Sequence, residues 1–341
     1  MLPPLSVLDL SFVNAGASPA QALQDSLSLA RHVDGLGYTR FWLAEHHALP
    51  SVASPAPEIM IGQIAAATRR IRVGSGGIML PNHAPLMVAE RFKVLEALFP
   101  GRIDLGLGRA PGTDGITAQA LRRREVPRGG DDFLERLQEL ILWETGGFPE
   151  GHPFRSVEVM PAGVPLPPLF LLGSSDYSAH LSAELGMGFA FAQHFAAFDA
   201  EQAMLAYRHL FRPSRWRERP HAILAIAAIC APTDADAKRL ALSSQLATLR
   251  RERGEYAPLP SLAEAEAYPY SETERARIQR GRARLQVGGP DTLRATIDAL
   301  AQATQADEIM IFSAIHDQAA RRRSYSLIAE ACGLGATRDA A

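Results

Sequence analysis

Short apolar runs alternate with amphipathic helical stretches through most of this 341-residue chain. Apolar runs in which polar residues do not alternate regularly are typical of strands buried on both faces, as in parallel sheets. Eight runs are predicted as strands: 5–10, 38–44, 71–80, 103–107, 169–172, 188–192, 222–230 and 308–312. Because helical stretches connect them, the strands should pair in parallel through right-handed crossovers. Eight such units predict an α/β fold, a (β/α)₈ TIM barrel with insertions.

An open, doubly wound sheet is the alternative arrangement. Its usual sign is a G-x-G-x-x-G turn after the first strand, but here that strand leads into Ser11 and Phe12. The barrel is therefore favoured, with residues 1–341 forming one domain. The Pro/Gly-rich stretch 146–168 is predicted to be a hairpin or another excursion. The segment 238–287 exceeds one crossover helix and is predicted either as a mobile lid or as an ordinary helix with a surface loop.

The net charge and the N-terminal sequence limit which partners and which location are expected for the protein. The net charge of −2 provides no sequence-wide attraction to nucleic acid or anionic lipid. The N-terminus lacks a basic segment followed by an apolar one, and the longest apolar run, 222–232, is too short to cross a bilayer of about 30 Å. A cytoplasmic protein that acts on a small molecule is expected.

A polar triplet, Glu45-His46-His47, follows the second predicted strand. Catalytic groups of barrels lie at the C-terminal ends of the strands. Since successive strand residues face opposite ways, His46 should point away from Glu45 and His47, which argues against one metal bound by both histidines. No metal site is predicted. The triplet is either a hydrogen-bonded structural feature or a source of acid–base chemistry.

Three further predicted strand ends carry glycines or residues that are suited to binding a phosphate group. Gly76-Gly77 indicates either a barrel bend or a flat ligand against the backbone. Arg109 lies among glycines and can pair with an anion. The sequence Gly173-Ser174-Ser175 opens a helix, as an ordinary cap or as a phosphate cradle. Together these features favour a phosphorylated ligand; flavin mononucleotide (FMN) fits, and so do other phosphorylated compounds.

Several motifs, which follow one another at the ends of predicted strands, resemble those of a known protein family. The resemblance covers about residues 5–195 and again 287–330. The motifs are residues 41–47 (FWLAEHH), 73–81 (VGSGGIMLP), 100–109 (PGRIDLGLGR) and 171–178 (LLGSSDYS). With them the chain resembles the bacterial luciferase-like family of flavin-dependent monooxygenases, closest to the subgroup related to the luciferase alpha subunit. The resemblance implies a TIM barrel that binds FMN at its mouth, supplied in reduced form by a separate flavin reductase, and a homodimer.

The resemblance also implies roles for single residues. His46 matches the family's acid–base histidine beside the flavin. Gly76 and Gly77 match a pair joined by a non-proline cis peptide against the flavin ring. The positions around the FMN phosphate are matched by Arg109, Ser174, Ser175 and Tyr177, with Ser178 as a neighbour.

The leading hypothesis is an FMN-dependent monooxygenase that uses reduced flavin and O₂ to oxidise a small organic substrate. Gly108 stands where true luciferases carry a reactive cysteine, so light emission is not expected. Two alternatives stay open: a non-catalytic flavin-binding or carrier protein, and a deazaflavin (F420)-dependent oxidoreductase on the same fold. A metal-dependent hydrolase fits least, because no carboxylate and histidine set accompanies His46 and His47.

Overall fold

The structure, a computed structural model, describes residues 2–122 and 132–335. Its strands are β1 (Leu5–Asp9), β2 (Arg40–Leu43), β3 (Arg72–Ser75), β4 (Ile78–Met79), β5 (Ile103–Gly108), β6 (Leu169–Gly173), β7 (Gly188–Ala192), β8 (Ala222–Cys230), β9 (Leu285–Gly288) and β10 (Glu308–Phe312). Its helices are α1 (Pro19–Leu36), α2 (Pro57–Ala67), α3 (Pro85–Leu98), α4 (Gly115–Arg122), α5 (Phe133–Thr145), α6 (Asp176–Leu185), α7 (Ala200–Leu210), α8 (Asp234–Glu252), α9 (Leu262–Ala267), α10 (Glu272–Arg280), α11 (Pro290–Thr304) and α12 (Gln318–Cys332). Across the described ranges, every helix is too short or too polar to span a lipid bilayer.

The strands close into a parallel barrel. Neighbours pair in the order β1, β2, β3, β5, β6, β7, β8 and β10, and β10 returns to β1 in parallel register, with Leu5 opposite Ile309. The predicted (β/α)₈ barrel is confirmed. Strand β9, which the sequence did not predict, lies outside this ring and pairs with the last residues of β8.

Local signals set the ends of helix α1, where the sequence predicts a helix over residues 19–36 with Ser18 as the N-cap and Gly37 just past the end. The Ser18 hydroxyl accepts a hydrogen bond from the Gln21 amide at 3.1 Å. At the other end, Gly37 takes the left-handed conformation with φ 88°. Between these caps Leu29 and Val33 are buried against the barrel. The sequence also predicts a helix over residues 131–144; residue 131 lies outside the described residues, and α5 begins at Phe133.

Two predicted segments need correction. The run 71–80 is not one strand, because it breaks into β3 and β4 at a cis peptide bond between Gly76 and Gly77. The stretch 146–168 contains no hairpin; its residues, all described, form loops around a short 3₁₀ turn, Pro153–Ser156. The alternative prediction of a non-hairpin excursion is therefore correct.

The segment 238–287 is largely helical. It begins inside α8, continues through α9 and α10, and ends in β9. Leu259 fastens it to the loop after β1, because its amide donates to Val13 O at 2.9 Å and its carbonyl accepts from Ala15 N at 2.8 Å. The segment therefore lies against the C-terminal mouth of the barrel. That it moves as a lid stays a prediction.

A buried charged cluster fills the opposite, N-terminal end of the barrel. Arg40 at the start of β2 contacts Asp104 at 2.7 Å and Glu308 at 2.9 Å, and Arg72 contacts Asp104 at 2.6 Å. The Trp42 indole N–H donates to Asp104 at 3.2 Å. Above this cluster the interior is apolar, with Trp42 edge-on to Phe170. The described side chains thus fill the N-terminal end of the barrel, and a ligand can enter from the mouth.

Candidate functional site

His46 lies at the mouth, three residues after β2 ends. Its Nδ1 is 3.3 Å from the carbonyl oxygen of Gly112. A carbonyl can only accept, so Nδ1 carries the proton and Nε2 keeps its lone pair when the ring is neutral. Burial lowers the pKa of His46 below its ordinary value, although the Gly112 hydrogen bond and the Glu45 charge oppose this shift. At neutral pH the ring can therefore accept a proton at Nε2.

Glu45 and His46 contact different partners, although β2 ends at Leu43 and strand alternation does not extend to them. The Glu45 carboxylate, fully buried, contacts His47 Nε2 at 2.7 Å and His83 Nε2 at 2.9 Å, and it accepts from the Met79 amide at 2.8 Å. Burial alone would raise the pKa of Glu45, but these partners, with His83 first, lower it. Within the described residues no such cluster has a geometry that could hold a metal ion. Glu45 thus joins His47 to His83, a partner that the sequence analysis missed.

The backbone conformation of Gly112 positions its carbonyl oxygen, which accepts the hydrogen bond from His46. Gly112 has φ +67°, and a Cβ on it would lie 2.8 Å from Glu45 O. The same loop is joined to the end of β2 twice more, by the His47 amide to Gly112 O at 3.3 Å and by the Thr113 hydroxyl to His47 O at 2.9 Å. A side chain at position 112 would push this loop away, so the orientation of His46 depends on a glycine that the sequence did not single out.

Gly76 and Gly77 form a wall of bare backbone. A Cβ on Gly76 would lie 3.0 Å from Leu8 and 3.2 Å from Trp42, and one on Gly77 would lie 2.8 Å from Gly106 O. The glycines are therefore required by packing. Gly77 O also accepts from the Glu45 amide at 3.3 Å, which joins this wall to the loop that carries His46. Such a surface lets a flat ring approach the backbone closely.

Arg109 and the start of α6 come together at the neighbouring strand ends. The Arg109 guanidinium lies 4.3 Å from the centroid of the Tyr177 ring, which is 39% exposed. Ser175 is the N-cap residue of α6, and its side chain makes no capping hydrogen bond. The first amides of a helix have no partner within the helix, so this hydroxyl, these amides and Arg109 can together bind an anion.

The other residues of this strand end differ in exposure. Ser174 is half-buried beside Ser175. Ser178 is buried and packs beneath the helix start, in contact distance of the position that a Cβ on Gly173 would take. Asp176 is exposed and adds an acidic group to the first turn. The hydroxyls of Ser174 and Ser175 are therefore more accessible to a ligand than that of Ser178.

An aromatic wall on the other side of the mouth was missed by the sequence analysis. His194 follows β7 and stacks on Phe312, the last residue of β10, with ring centroids 5.4 Å apart. Phe312 also packs against Phe12 at 5.6 Å, and Phe195 lies edge-on to His194 at 4.8 Å. We call Phe12, His194, Phe195 and Phe312 the aromatic wall. All four follow or end a barrel strand, which is the signal that could have found them.

Comparisons with known proteins agree over almost the whole chain. A family model described as luciferase-like monooxygenase matches residues 4–308. The luciferase-like monooxygenase of Escherichia coli (strain K12) is 42% identical over 322 residues, 94% of this chain and 95% of that protein. The N-acetyl-S-alkylcysteine monooxygenase of Bacillus subtilis (strain 168) is 34% identical over 331 residues, 96% and 97% of the two chains. The crystal structure of apo-MsnO8 superposes with a TM-score of 0.89 at 41% identity, covering 97% of this chain and 99% of that one.

Proposed function

The chain belongs to the luciferase-like monooxygenase family, and from this premise we propose that it is an FMN-dependent monooxygenase that uses reduced flavin and O₂ to oxidise a small organic substrate. The observation that carries the proposal is the glycine wall at Gly76-Gly77. It touches both the loop of His46 and the strand that leads to Arg109. The glycine wall thus links the loop of the acid–base group to the strand that leads to the anion site. The whole chain, 1–341, would act as one barrel domain.

Each group has a distinct task in this proposal. Arg109 with Ser174, Ser175 and Tyr177 would bind the FMN phosphate, with Ser178 supporting them from below. Gly76 and Gly77 would lie against the flavin ring. Bound reduced FMN would supply the activation of O₂ and the transfer of one oxygen atom.

His46 and the aromatic wall complete the site. His46 Nε2 would accept and return a proton, since its Nδ1 is held by Gly112. The aromatic wall would keep water from the reacting atoms and hold the substrate. Gly108 offers no thiol at the position of the luciferase cysteine, so we propose an enzyme that does not emit light.

Three measurements on the purified protein test this function. We expect it to bind reduced FMN more tightly than a reduced deazaflavin, and to slow the return of oxidised-flavin absorbance after mixing with O₂, compared with free reduced FMN. We also expect no NAD(P)H oxidation until a flavin reductase is added. Tight FMN binding without any change in the reaction with O₂ would favour a carrier, and preferential deazaflavin binding would favour the reductase alternative.

The phosphate site gives a prediction for Arg109. We expect Arg109→Ala to weaken FMN binding about 10- to 100-fold, because a charge-assisted contact to the phosphate is lost. Riboflavin, which lacks the phosphate, should bind the variant and the unchanged protein with similar affinity. Fluorescence titration with both ligands measures the difference, and Arg109→Lys should keep part of the FMN affinity. Equal losses for the two ligands would assign Arg109 a purely structural role.

We further propose that the protein is a homodimer joined through α2 and α3. Met87, Val94 and Leu98 are 48%, 47% and 64% exposed and recur every four or seven residues along one side of α3. Ile59 on α2 is 65% exposed. The two helices are tied together by an Arg91–Glu58 contact at 2.8 Å. Exposed apolar side chains grouped on neighbouring helices are typical of a protein interface.

A charge among these side chains should prevent dimerisation. We expect Leu98→Glu to convert the dimer into a monomer in light scattering after gel filtration, because the interface would bury an unpaired carboxylate. Ile116→Glu is the matched control: Ile116 is 83% exposed but lies on α4, so this variant should stay dimeric. A monomeric unchanged protein, or a dimeric Leu98→Glu variant, would contradict the proposed interface.

A further inference from the structure

The inner face of the barrel is unevenly filled near the mouth. Barrel interiors are usually packed with layers of bulky side chains. Four strands follow this rule, with Leu8, Trp42, Phe170 and Met310. On β8 the lowest inward position is Ile223, which lies opposite Glu308 of the buried charged cluster. The next inward positions, Ala225 and Ala227, are small, so β8 contributes little volume to the interior near the mouth.

The strand register places these alanines beside the aromatic wall. Ala225 lies opposite Ala192 of β7 on one side and Met310 of β10 on the other, and Ala227 lies opposite Phe312. Paired residues of neighbouring strands point to the same face of a sheet. Since Met310 points into the interior, the three alanines do so as well. We call Ala192, Ala225 and Ala227 the alanine face; it borders Phe312, one ring of the aromatic wall.

Solvent reaches the alanine face from the mouth. Ala225 and Ala227 are 5% and 7% exposed, and Ala192 is half-buried. By contrast, Leu224 and Ala228, which alternate with them and point outward from β8, are 0% exposed. The charged cluster fills the other end of the barrel, so the access comes from the mouth. The alanine face is therefore the floor of an open recess and not a closed part of the core.

Two flat rings border this recess. The His194 ring stacks on Phe312 with 30° between the ring planes, and its Nδ1 is 3.3 Å from the carbonyl oxygen of Ala225. Burial lowers the pKa of His194 to about 4, so the ring is uncharged at neutral pH. Flat rings beside short side chains leave room for a flat apolar group, which gains dispersion contacts and buries apolar area there.

The recess and the glycine wall rest on the same apolar cluster. A Cβ on Gly76 would lie 3.0 Å from Leu8, and Leu8 belongs to the interior cluster that contains Ala225. Phe312 packs against that cluster as well. A flat ring on the glycine wall and a group in the recess would therefore lie over one continuous support. The recess is thus suited to the part of a substrate that lies next to the proposed flavin ring.

We propose that the substrate carries a flat apolar group, an aryl ring being the simplest, which enters the recess between the alanine face and the aromatic wall. This inference rests on the proposed function, since it concerns the substrate of the same mouth. Ala227 provides the room for that group, and Phe312 limits its thickness. Both are specificity-determining residues that FMN does not need, because the FMN phosphate is assigned to Arg109 and the start of α6.

Calorimetric titration of the FMN-loaded protein tests the proposal with two alcohols of equal carbon number, the flat naphthylmethanol and the globular adamantylmethanol. We expect the unchanged protein to bind the flat alcohol about tenfold more tightly. Ala227→Leu should weaken its binding about tenfold, because the larger side chain occupies the recess. Phe312→Ala should instead reduce the preference for the flat alcohol, because the recess becomes wider. Ala299→Leu, the same change at an exposed position of α11, should alter neither affinity.

A second leucine variant keeps the test valid if Ala227→Leu does not fold. Ala192→Leu lies at the half-buried edge of the alanine face and should also weaken the binding of naphthylmethanol. The Kd for FMN should be the same in every variant, which shows that each one is folded.

Three results would overturn the proposal: binding of neither alcohol, equal binding of both, or unchanged affinity for naphthylmethanol in a folded leucine variant. None of these results involves O₂. They are therefore distinguishable from failure of the proposed function, which would appear as absent FMN binding or an unaltered reaction with O₂.

Discussion

Replacing His46 with alanine lowers substrate-dependent O₂ consumption by about 10²- to 10⁴-fold, the usual contribution of a positioned acid–base group. FMN affinity should change little, because the contacts proposed for the phosphate come from other strand ends. The assay supplies reduced FMN through a flavin reductase and uses a compound found by screening small organic compounds. His47→Gln is the matched control: His47 faces Glu45 instead of the mouth, so the rate should fall far less. An unchanged rate in His46→Ala would exclude the acid–base role.

The pH profile provides an independent test of the same role. Burial lowers the pKa of His46, with Arg251 and His47 acting in the same direction and Gly112 and Glu45 against it. The catalytic form is the neutral ring, so kcat/KM should fall as the pH drops through a value below about 6.5, the ordinary pKa of histidine. We expect this acid limb to be absent in His46→Ala. An acid limb retained in the variant would belong to another group.

Replacing Arg40 with methionine destabilises the folded barrel by about 3–5 kcal/mol, because it leaves the buried carboxylates of Asp104 and Glu308 without their shared cation. Chemical denaturation followed by fluorescence measures the free energy of unfolding. Arg323→Met is the control: it removes an exposed contact to Glu330 and should cost less than about 1 kcal/mol. A loss in Arg40→Met no larger than in the control would show that the cluster contributes little to stability.

The same cluster makes stability depend on acid. Burial alone would raise the pKa of Asp104 and Glu308, but the charge of Arg40, with Arg72 on the first and His221 on the second, lowers both. A carboxyl with a lowered folded pKa stabilises the protein fully above its unfolded pKa of about 4. That contribution should be lost as the pH falls below this value. We expect Arg40→Met to reduce the acid-induced loss, because removal of the cation moves both pKa values upward.

Much of the site could be predicted from strand ends. The rule that barrels work at the C-terminal ends of their strands selected His46, Gly76-Gly77, Arg109 and Ser174-Ser175, and all of these lie at the mouth. Strand alternation did not decide the direction of His46, because β2 ends at Leu43.

Other parts of the site could not be found in this way. Gly112 matters because of a carbonyl that reaches His46 from another loop, and a glycine in a loop looks the same whether or not its carbonyl is used. The helix α9 has only six residues and α10 is strongly polar, so neither shows the apolar periodicity that predicts a helix.

The amino-acid sequence by itself determined the barrel and its order of elements. Strands covered on both faces must be apolar throughout, short connections enforce parallel crossovers, and caps such as Ser18 and Gly37 end a helix through contacts a few residues away. Only the tertiary structure decided the aromatic wall and the buried charged cluster. Arg40 and Glu308, for example, are 268 residues apart and meet because the barrel closes. Contacts of this kind leave no local pattern, since each partner satisfies its charge or covers its ring with a residue that is distant along the chain.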